Sequence, residues 1–379
     1  MQRIKLLLFI VALLLVIASL TVYLKFGGGQ ANFPNLSGTP TQHWNEVELV
    51  ADLATPPGNI AVSEQGRVFI SQHPEARPDL KIVELKDGVA SAFPDLATQA
   101  QWHTPLGIRI DKQQRLWVLD AADHGLKPVT LIAYDIESKK QVHHHTFSPQ
   151  IMGLGSHAND LQISPDGKFI YIADASIFSK KPAIIIYNTE QQRARRVLSA
   201  HHTLTGDKYT PVVHGRTMSI AGLFDIRPGV DSIALDRKGH WFYFAPITED
   251  VMYRISTKVL LNEQLSDKEL VQKIEIFGKK TMSDGITIDH SDRLYLSDIE
   301  NNAIVRMDQQ GELTTLLKNP NLRWPDGFSF GNDGWLYITC SSLHEVIGRL
   351  PSNIEKKGPY QVYRFKPKEI KQRHSLAGH

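Results

Sequence analysis

Six stretches of this chain share one layout: a short polar step, an apolar strand, a tight turn and a second strand. They read PGNIAVSEQGRVFIS, PLGIRIDKQQRLWVLD, ANDLQISPDGKFIYIAD, GVDSIALDRKGHWFYFAP, SDGITIDHSDRLYLSD and PDGFSFGNDGWLYITC, and begin at Pro57, Pro105, Ala158, Gly229, Ser283 and Pro325. All-β repeats spaced by roughly 40–70 residues predict a β-propeller. Radial blades leave one central channel, so the equivalent step of every copy points at the same axis.

The fifth copy shows a whole blade. Its strands are expected at residues 286–288, 294–296, 303–307 and 313–317, with β-rich composition and alternation. The sixth copy shows only three, at 328–330, 336–339 and 360–365. Residues 46–51 (EVELVA) alternate polar and apolar before the first copy. They are expected to supply the missing outer strand, which closes the ring and removes an exposed edge. The fold class is therefore all-β, a six-bladed propeller whose N-terminal strand closes the last blade. No apolar run at helical spacing interrupts the pattern, which argues against a βαβ fold.

Ahead of the repeats, Arg3 and Lys5 precede a charge-free, mostly apolar stretch from Leu6 to Leu24. As a helix it would span roughly 28 Å, close to the hydrocarbon thickness of a bilayer. Residues 1–25 thus read as a transmembrane signal anchor with a cytoplasmic N-terminus; cleavage near Ala31 is the alternative. Either reading exports the propeller to the cell envelope, periplasmic or extracellular. Residues 26–45, rich in Gly, Asn, Ser and Pro, read as a flexible linker, and 46–379 as the propeller.

Lys and Arg number 42 against 40 Asp and Glu, which gives no electrostatic case for nucleic-acid binding. The short cluster Arg193, Arg195, Arg196 reads as a solvated turn. One cysteine, Cys340, excludes an intrachain disulfide. It suits a small buried hydrophobe better than a catalytic thiol. A monomeric propeller is expected.

Aligning the six steps gives a column of Gly58, Leu106, Asn159, Asp231, Asp284 and Asp326, followed by Asn59, Gly107, Asp160, Ser232, Gly285 and Gly327. Three converging aspartates repel one another unless a cation intervenes. Ca²⁺ or Mg²⁺ with oxygen ligands suits Asn159, Asp231 and Asp284. Such an ion polarises a carbonyl or activates a water. Asn59, Asp160 and Asp326 are candidate ligand-binding groups for a small molecule in the channel. The same residue types also form turns through their own backbone, which is the competing reading. Asp120, Asp174 and Asp298 end second strands and read as turn formers. Asp284 and His157 are the candidate catalytic pair, and His103 and His344 are further bases near the channel. Trp102, Trp324 and Phe328 could stack on a flat ligand or pack between blades. His143 and His145 share one face of a strand, with His144 opposite, as on a solvated outer strand. There is no P-loop, nucleophile elbow or Cys/His zinc spacing.

The segments LGIRIDKQQRLWVLD, NDLQISPDGKFIYIADAS with AIIIYN, GVDSIALDRKGHWFYFAPIT with MYRIST, MSDGITIDHSDRLYLSDIENNAI and WPDGFSFGNDGWLYITCSSLH resemble the Yellow/major royal jelly protein family, over residues 46–367. The resemblance implies a six-bladed propeller. Members are linked to dopachrome conversion, to amine binding, or to structural and nutritive roles. More distantly the chain resembles the gluconolactonase/regucalcin propellers, which hold a divalent cation and hydrolyse sugar lactones. That resemblance maps their ligands onto Asn159, Asp231 and Asp284, but their glutamate falls on Gly58. A non-catalytic small-ligand or scaffold role in the envelope is the alternative to an enzyme.

Overall fold

The computed structural model describes residues 2–369. Six four-stranded antiparallel sheets surround one axis. Blade 1 comprises Pro57–Val62, Val68–Gln72, Ile82–Lys86 and Val89–Ala92. Blade 2 comprises Pro105–Ile110, Arg115–Asp120, Thr130–Asp135 and Gln141–Thr146. Blade 3 comprises Ala158–Ile163, Phe169–Asp174, Ala183–Asn188 and Arg193–Val197. Blade 4 comprises Val230–Leu235, Trp241–Pro246, Val251–Ser256 and Glu275–Lys279. Blade 5 comprises Ile286–Ile288, Leu294–Asp298, Ala303–Met307 and Leu313–Lys318.

Blade 6 takes Pro325–Phe330, Leu336–Cys340 and Tyr360–Phe365 from the C-terminal end, and Glu48–Leu53 from the N-terminal end. The closing strand runs antiparallel to Tyr360–Phe365, with Glu48 opposite Arg364 and Leu53 opposite Tyr360. It starts two residues later than expected, because Trp44–Glu46 form a single 3-10 turn. The seam is also held at the axis. The Thr339 hydroxyl accepts from Gly327 N at 2.8 Å and donates to Gly58 O of blade 1.

Apolar side chains between blades form the core. Ile60, Ile70 and Val83 of blade 1 share a buried cluster with Tyr337, Tyr360 and Val362 of blade 6. Trp117 and Leu119 of blade 2 meet Ile170, Ile185 and Tyr187 of blade 3 in another. Each such side chain contributes about 1.5–3 kcal/mol when fully buried. Cys340 belongs to this core, and burial pushes its thiol up to about 12, so it is an inert hydrophobe. His143 and His145 lie half-buried on the outer strand of blade 2 while His144 is exposed, and His143 Nε2 meets the Tyr187 hydroxyl at 2.9 Å.

Two sequence readings need amendment. Arg193, Arg195 and Arg196 do not form a solvated turn; they lie in the outer strand of blade 3. Arg196 Nη1 reaches the buried Asp174 carboxylate at 2.6 Å. Residues 27–41, expected as a flexible linker, follow the propeller surface. Gly29 N donates to Asp225 Oδ2 at 3.0 Å, Gln30 bridges to Tyr209, Ser37 Oγ donates to Asp298 at 2.5 Å, and Thr41 N donates to Thr315 O at 3.0 Å. A side chain at position 29 would collide with Thr210 and Arg227, so this path needs glycine there.

Among the described residues, one helix, Gln2–Phe26, is long and apolar enough to cross a membrane, and none of its residues is buried. It leads into the insertion between blades 3 and 4. There Phe26 packs on Phe224 with ring centroids 4.5 Å apart, and Arg227 donates to the Phe26 and Gly27 carbonyls at 3.1 and 2.7 Å.

Replacing Thr339 with Val removes a buried acceptor and a buried donor at the seam. Stability of the full chain should fall by about 2 kcal/mol, with Ser largely restoring it. Urea unfolding of the detergent-solubilised protein checks this.

Candidate functional site

Five of the six inner strands are interrupted where the polar column enters them, and that of blade 5 begins only after the column, at Ile286. Register shifts fall between Pro57 and Ile60, Pro105 and Ile108, Ala158 and Leu161, Val230 and Ser232, and Pro325 and Phe328. A bulge re-aims the residues it contains. The backbone N–H groups freed there need partners. Ser71 Oγ accepts from Asn59 N at 2.9 Å, and Ser297 Oγ accepts from Asp284 N and Gly285 N at 2.9 and 3.0 Å. Thr339 does the same for Gly327. These three hydroxyls were not anticipated. The recurrence of Ser or Thr at one point in FISQ, YLSD and YITC is the signal that could have shown them.

The bulges direct the column into a cavity of about 950 Å³. Asn59, His157, Asn159, Asp160, Asp231, Asp284, Trp324 and Asp326, eight of the residues singled out from sequence, all line it. The floor is acidic. Asp160 Oδ1 accepts from Leu161 N at 2.8 Å and from Asn59 Nδ2 at 3.2 Å, and lies 3.5 Å from Arg109 Nη2. Asn159 Nδ2 donates to Asp231 Oδ1. Trp324 Nε1 donates to Asp284 Oδ2 at 2.5 Å. Asp326 Oδ2 is buried and has no hydrogen-bond partner among the described groups.

Burial raises the pKa of every one of these carboxyls. Asp231 and Asp326 stand well above the usual range, since each also feels the Asp284 charge. Asp284 rises to about 6, held back by the Trp324 N–H and by Lys280. Lys280 is fully buried. Its ammonium donates to Ile247 O and Thr281 O at 3.0 Å and to Ser283 Oγ at 3.2 Å, and burial pulls its pKa down to about 7. Nothing in the sequence around Lys280 marks it as buried.

The histidines divide. His157 lines the cavity; its backbone N–H donates to Asp174 at 2.7 Å, and its Nδ1 faces His124 Nδ1 at 2.9 Å. Burial takes His157 down to about 3, so it is neutral near pH 7 and a weak base. Asp284, at about 6, is better matched to proton abstraction. His103 is exposed at the cavity wall. His344 is buried, stacked between His214 and Trp324 at 4.6 and 6.3 Å, outside the cavity lining.

Among the aromatics, Trp102 is core, edge-on to Tyr134 at 5.9 Å. Phe328 belongs to a buried cluster and also lines the cavity. Asp120 and Asp174 do more than shape turns. Asp120 accepts from His103 N, Thr104 N and Ala122 N at 2.8–2.9 Å, tying the second strand to the entrance of the first. Asp174 ties His157 in the same way.

The folded-state pKa of Asp284 lies above its ordinary 3.8, so the folded chain retains a proton that the unfolded chain has released. The stability contributed by this group is greatest below pH 4 and is lost as pH rises through about 6. The loss at pH 8 is on the order of 3 kcal/mol. Asp284→Asn retains an acceptor for the Trp324 indole. It should therefore unfold at higher urea than the parent at pH 8 and show no such gain at pH 4.

Comparison with known proteins agrees with this architecture. No curated protein matches the sequence. A gluconolactonase from Xanthomonas campestris superposes with a TM-score of 0.54 at 15% identity, covering 85% of this chain and 89% of that one. The calcium-binding protein regucalcin from Agrobacterium tumefaciens gives 0.54 at 12% identity, covering 84% and 96%. The PQQ-bound aldose sugar dehydrogenase from Streptomyces coelicolor gives 0.53 at 12%, covering 84% and 97%. At these identities the likeness is one of fold. The family profile of major royal jelly protein matches residues 104–349, which take in blades 2 to 5 and the first two strands of blade 6. The chain belongs to the major royal jelly protein family.

Proposed function

We propose that this propeller binds a small electrophilic molecule, a lactone-like ester or a quinone-like ring, above a divalent cation at the channel floor. The observation that carries the reading is the unpartnered, buried Asp326 Oδ2 beside carboxyls whose ionisation burial and mutual repulsion oppose. The donors are hard oxygens, which suit Ca²⁺ or Mg²⁺. Asp231, Asp284, Asp326 and the Asn159 amide oxygen would hold the ion. Among the described residues, no three acidic, His or Cys side chains stand together at ligating distance. Binding therefore calls for the Asn159 amide to turn its oxygen inward and release Asp231. The calcium-binding Agrobacterium neighbour, alike in fold, supports this reading.

A bound cation would polarise the carbonyl or lower the pKa of a water. The chain's own groups supply the rest. Asp284, mostly ionised near pH 7, takes a proton from the attacking water. The water oxygen bonds to the carbonyl carbon, the ester C–O bond breaks, and the leaving oxygen collects a proton. Trp324 orients the Asp284 carboxylate, and neutral His157 offers the substrate a hydrogen bond. A binding or scaffold role without turnover is favoured by one feature, Gly58, which stands where the resembling lactonases carry glutamate.

We also propose that the helix Gln2–Phe26 is an uncleaved anchor and that the propeller works as a monomer in the cell envelope.

Calorimetric titration of Ca²⁺, Mg²⁺, Mn²⁺ and Zn²⁺ into the detergent-solubilised full chain tests the cation. Binding should tighten as pH rises through about 6, release protons, and weaken at least tenfold in Asp284→Ala. Lactone and quinone turnover that follows cation occupancy supports the enzyme; cation or ligand binding without turnover supports the binding role. Absence of binding by any of the four ions sinks the cation reading.

A further inference from the structure

Among the described residues, ten large apolar side chains outside the N-terminal helix are exposed. Five of them, Leu49, Val89, Leu96, Val142 and Ile276, are scattered over separate blades or their connecting turns. The other five gather at one place. Leu126, Phe178, Ile220 and Leu350, which are 71%, 44%, 46% and 68% exposed, line the cavity at its mouth, although they come from four different loops. Leu154, 77% exposed, flanks them, because the next residue, Gly155, donates to His124 O at 2.9 Å. Isolated exposed apolar residues need no explanation, but a ring of them around an opening does.

The N-terminal helix is rooted on that same rim. Phe26, its last residue, packs on Phe224 at 4.5 Å, and Phe224 packs on Phe178 at 5.7 Å. Both Phe224 and Phe178 line the mouth. The path beyond the helix has no slack. Arg227 binds the Phe26 and Gly27 carbonyls, Gly29 is held by Asp225, and Gln30 is bridged to Tyr209. A bilayer that holds this helix therefore lies within side-chain reach of the rim.

We infer that the propeller stands mouth-down on the lipid bilayer, with the rim loops carrying Leu126, Leu154, Phe178, Ile220 and Leu350 inserted at the headgroup boundary. The inference rests on reading Gln2–Phe26 as an uncleaved membrane helix. Apolar rim side chains gain by entering the acyl boundary, as on an interfacial amphipathic surface. The occupant is lipid rather than a second protein, since the membrane-length helix ends on this rim, with Phe26 packed on Phe224. Molecules reach the acidic floor through that interface.

The test uses the full chain in phosphatidylcholine/phosphatidylglycerol proteoliposomes. Cysteine is placed at Leu126, Phe178 or Leu350 and, as controls, at Val89 or Ile276, then labelled with a nitroxide. Cys340 is buried, so the unsubstituted chain should label little. Leu126 and Leu350 are exposed enough to tolerate substitution if Phe178 does not. Accessibility to oxygen relative to a water-soluble nickel chelate is read by electron paramagnetic resonance, with flotation of the same samples after alkaline extraction. Floating chains whose rim labels show an oxygen-to-nickel ratio several-fold above the controls support the inference. Floating chains whose rim labels match the controls overturn it and leave the anchor standing. Chains that do not float remove the anchor and the inference together.

Discussion

Crowding around the axis governs this molecule. Inner strands approach so closely that a side chain at Gly107 would overlap Asn159 O, one at Gly285 would overlap Asp326 O, and one at Gly327 would press on Gly58 and Asn59. Neighbouring backbones fill the space a Cβ would need, so these positions carry none. At the matching positions of blades 1, 3 and 4, Asn59, Asp160 and Ser232 occupy what room remains. The division of these positions between glycine and polar side chains is a packing solution first. Its chemical consequence follows, because bulged strands that meet this tightly must also bring Asp231, Asp284 and Asp326 together away from water.

Gathering carboxyls in a dry place is unfavourable unless charge is balanced. Two cations reach the floor. Arg109 answers Asp160 directly, whereas Lys280 spends its hydrogen bonds on two carbonyls and a hydroxyl and acts on Asp284 only through space. Burial draws Lys280 down to about 7 while it lifts Asp284 to about 6. The two values come close enough that the floor's net charge changes across the neutral range. Protons are the balancing cations when no other is present, which couples occupancy of the site to pH.

The repeat pattern made the blades, the closing strand and the converging column legible, because each depends on period-two alternation or on equivalent positions in copies. Cys340 was legible for the same reason: it ends a strand that must face a neighbouring blade. Other features depend on where side chains from distant copies meet. Arg196 looked like one member of a basic turn, yet the register of blade 3 sets it beside Asp174. His344 follows the last hairpin, as a channel base would, but a turn folds it behind Trp324. Trp324 itself looked free to stack on a ligand, and its N–H is committed to Asp284. Residues 27–41 have the composition of a tether. What holds them is a set of partners 196 to 277 residues away, which composition does not encode.

The insertion between blades 3 and 4 shows how two of these demands meet in one segment. Its Phe224 and Ile226 wall the cavity mouth, while its Asp225 and Arg227 alternate with them and face the incoming chain. Period-two alternation in a strand as short as Phe224–Asp225, carried on to Arg227, is enough to present one apolar face and one charged face. The apolar face continues the rim, and the charged face caps the end of the helix. Shifting this segment by one residue would exchange the two faces. It would bury Asp225 and Arg227 in the mouth and leave the helix end without its hydrogen bonds. The orientation of the propeller relative to its N-terminal helix and the polarity of its opening are therefore set by the same few residues.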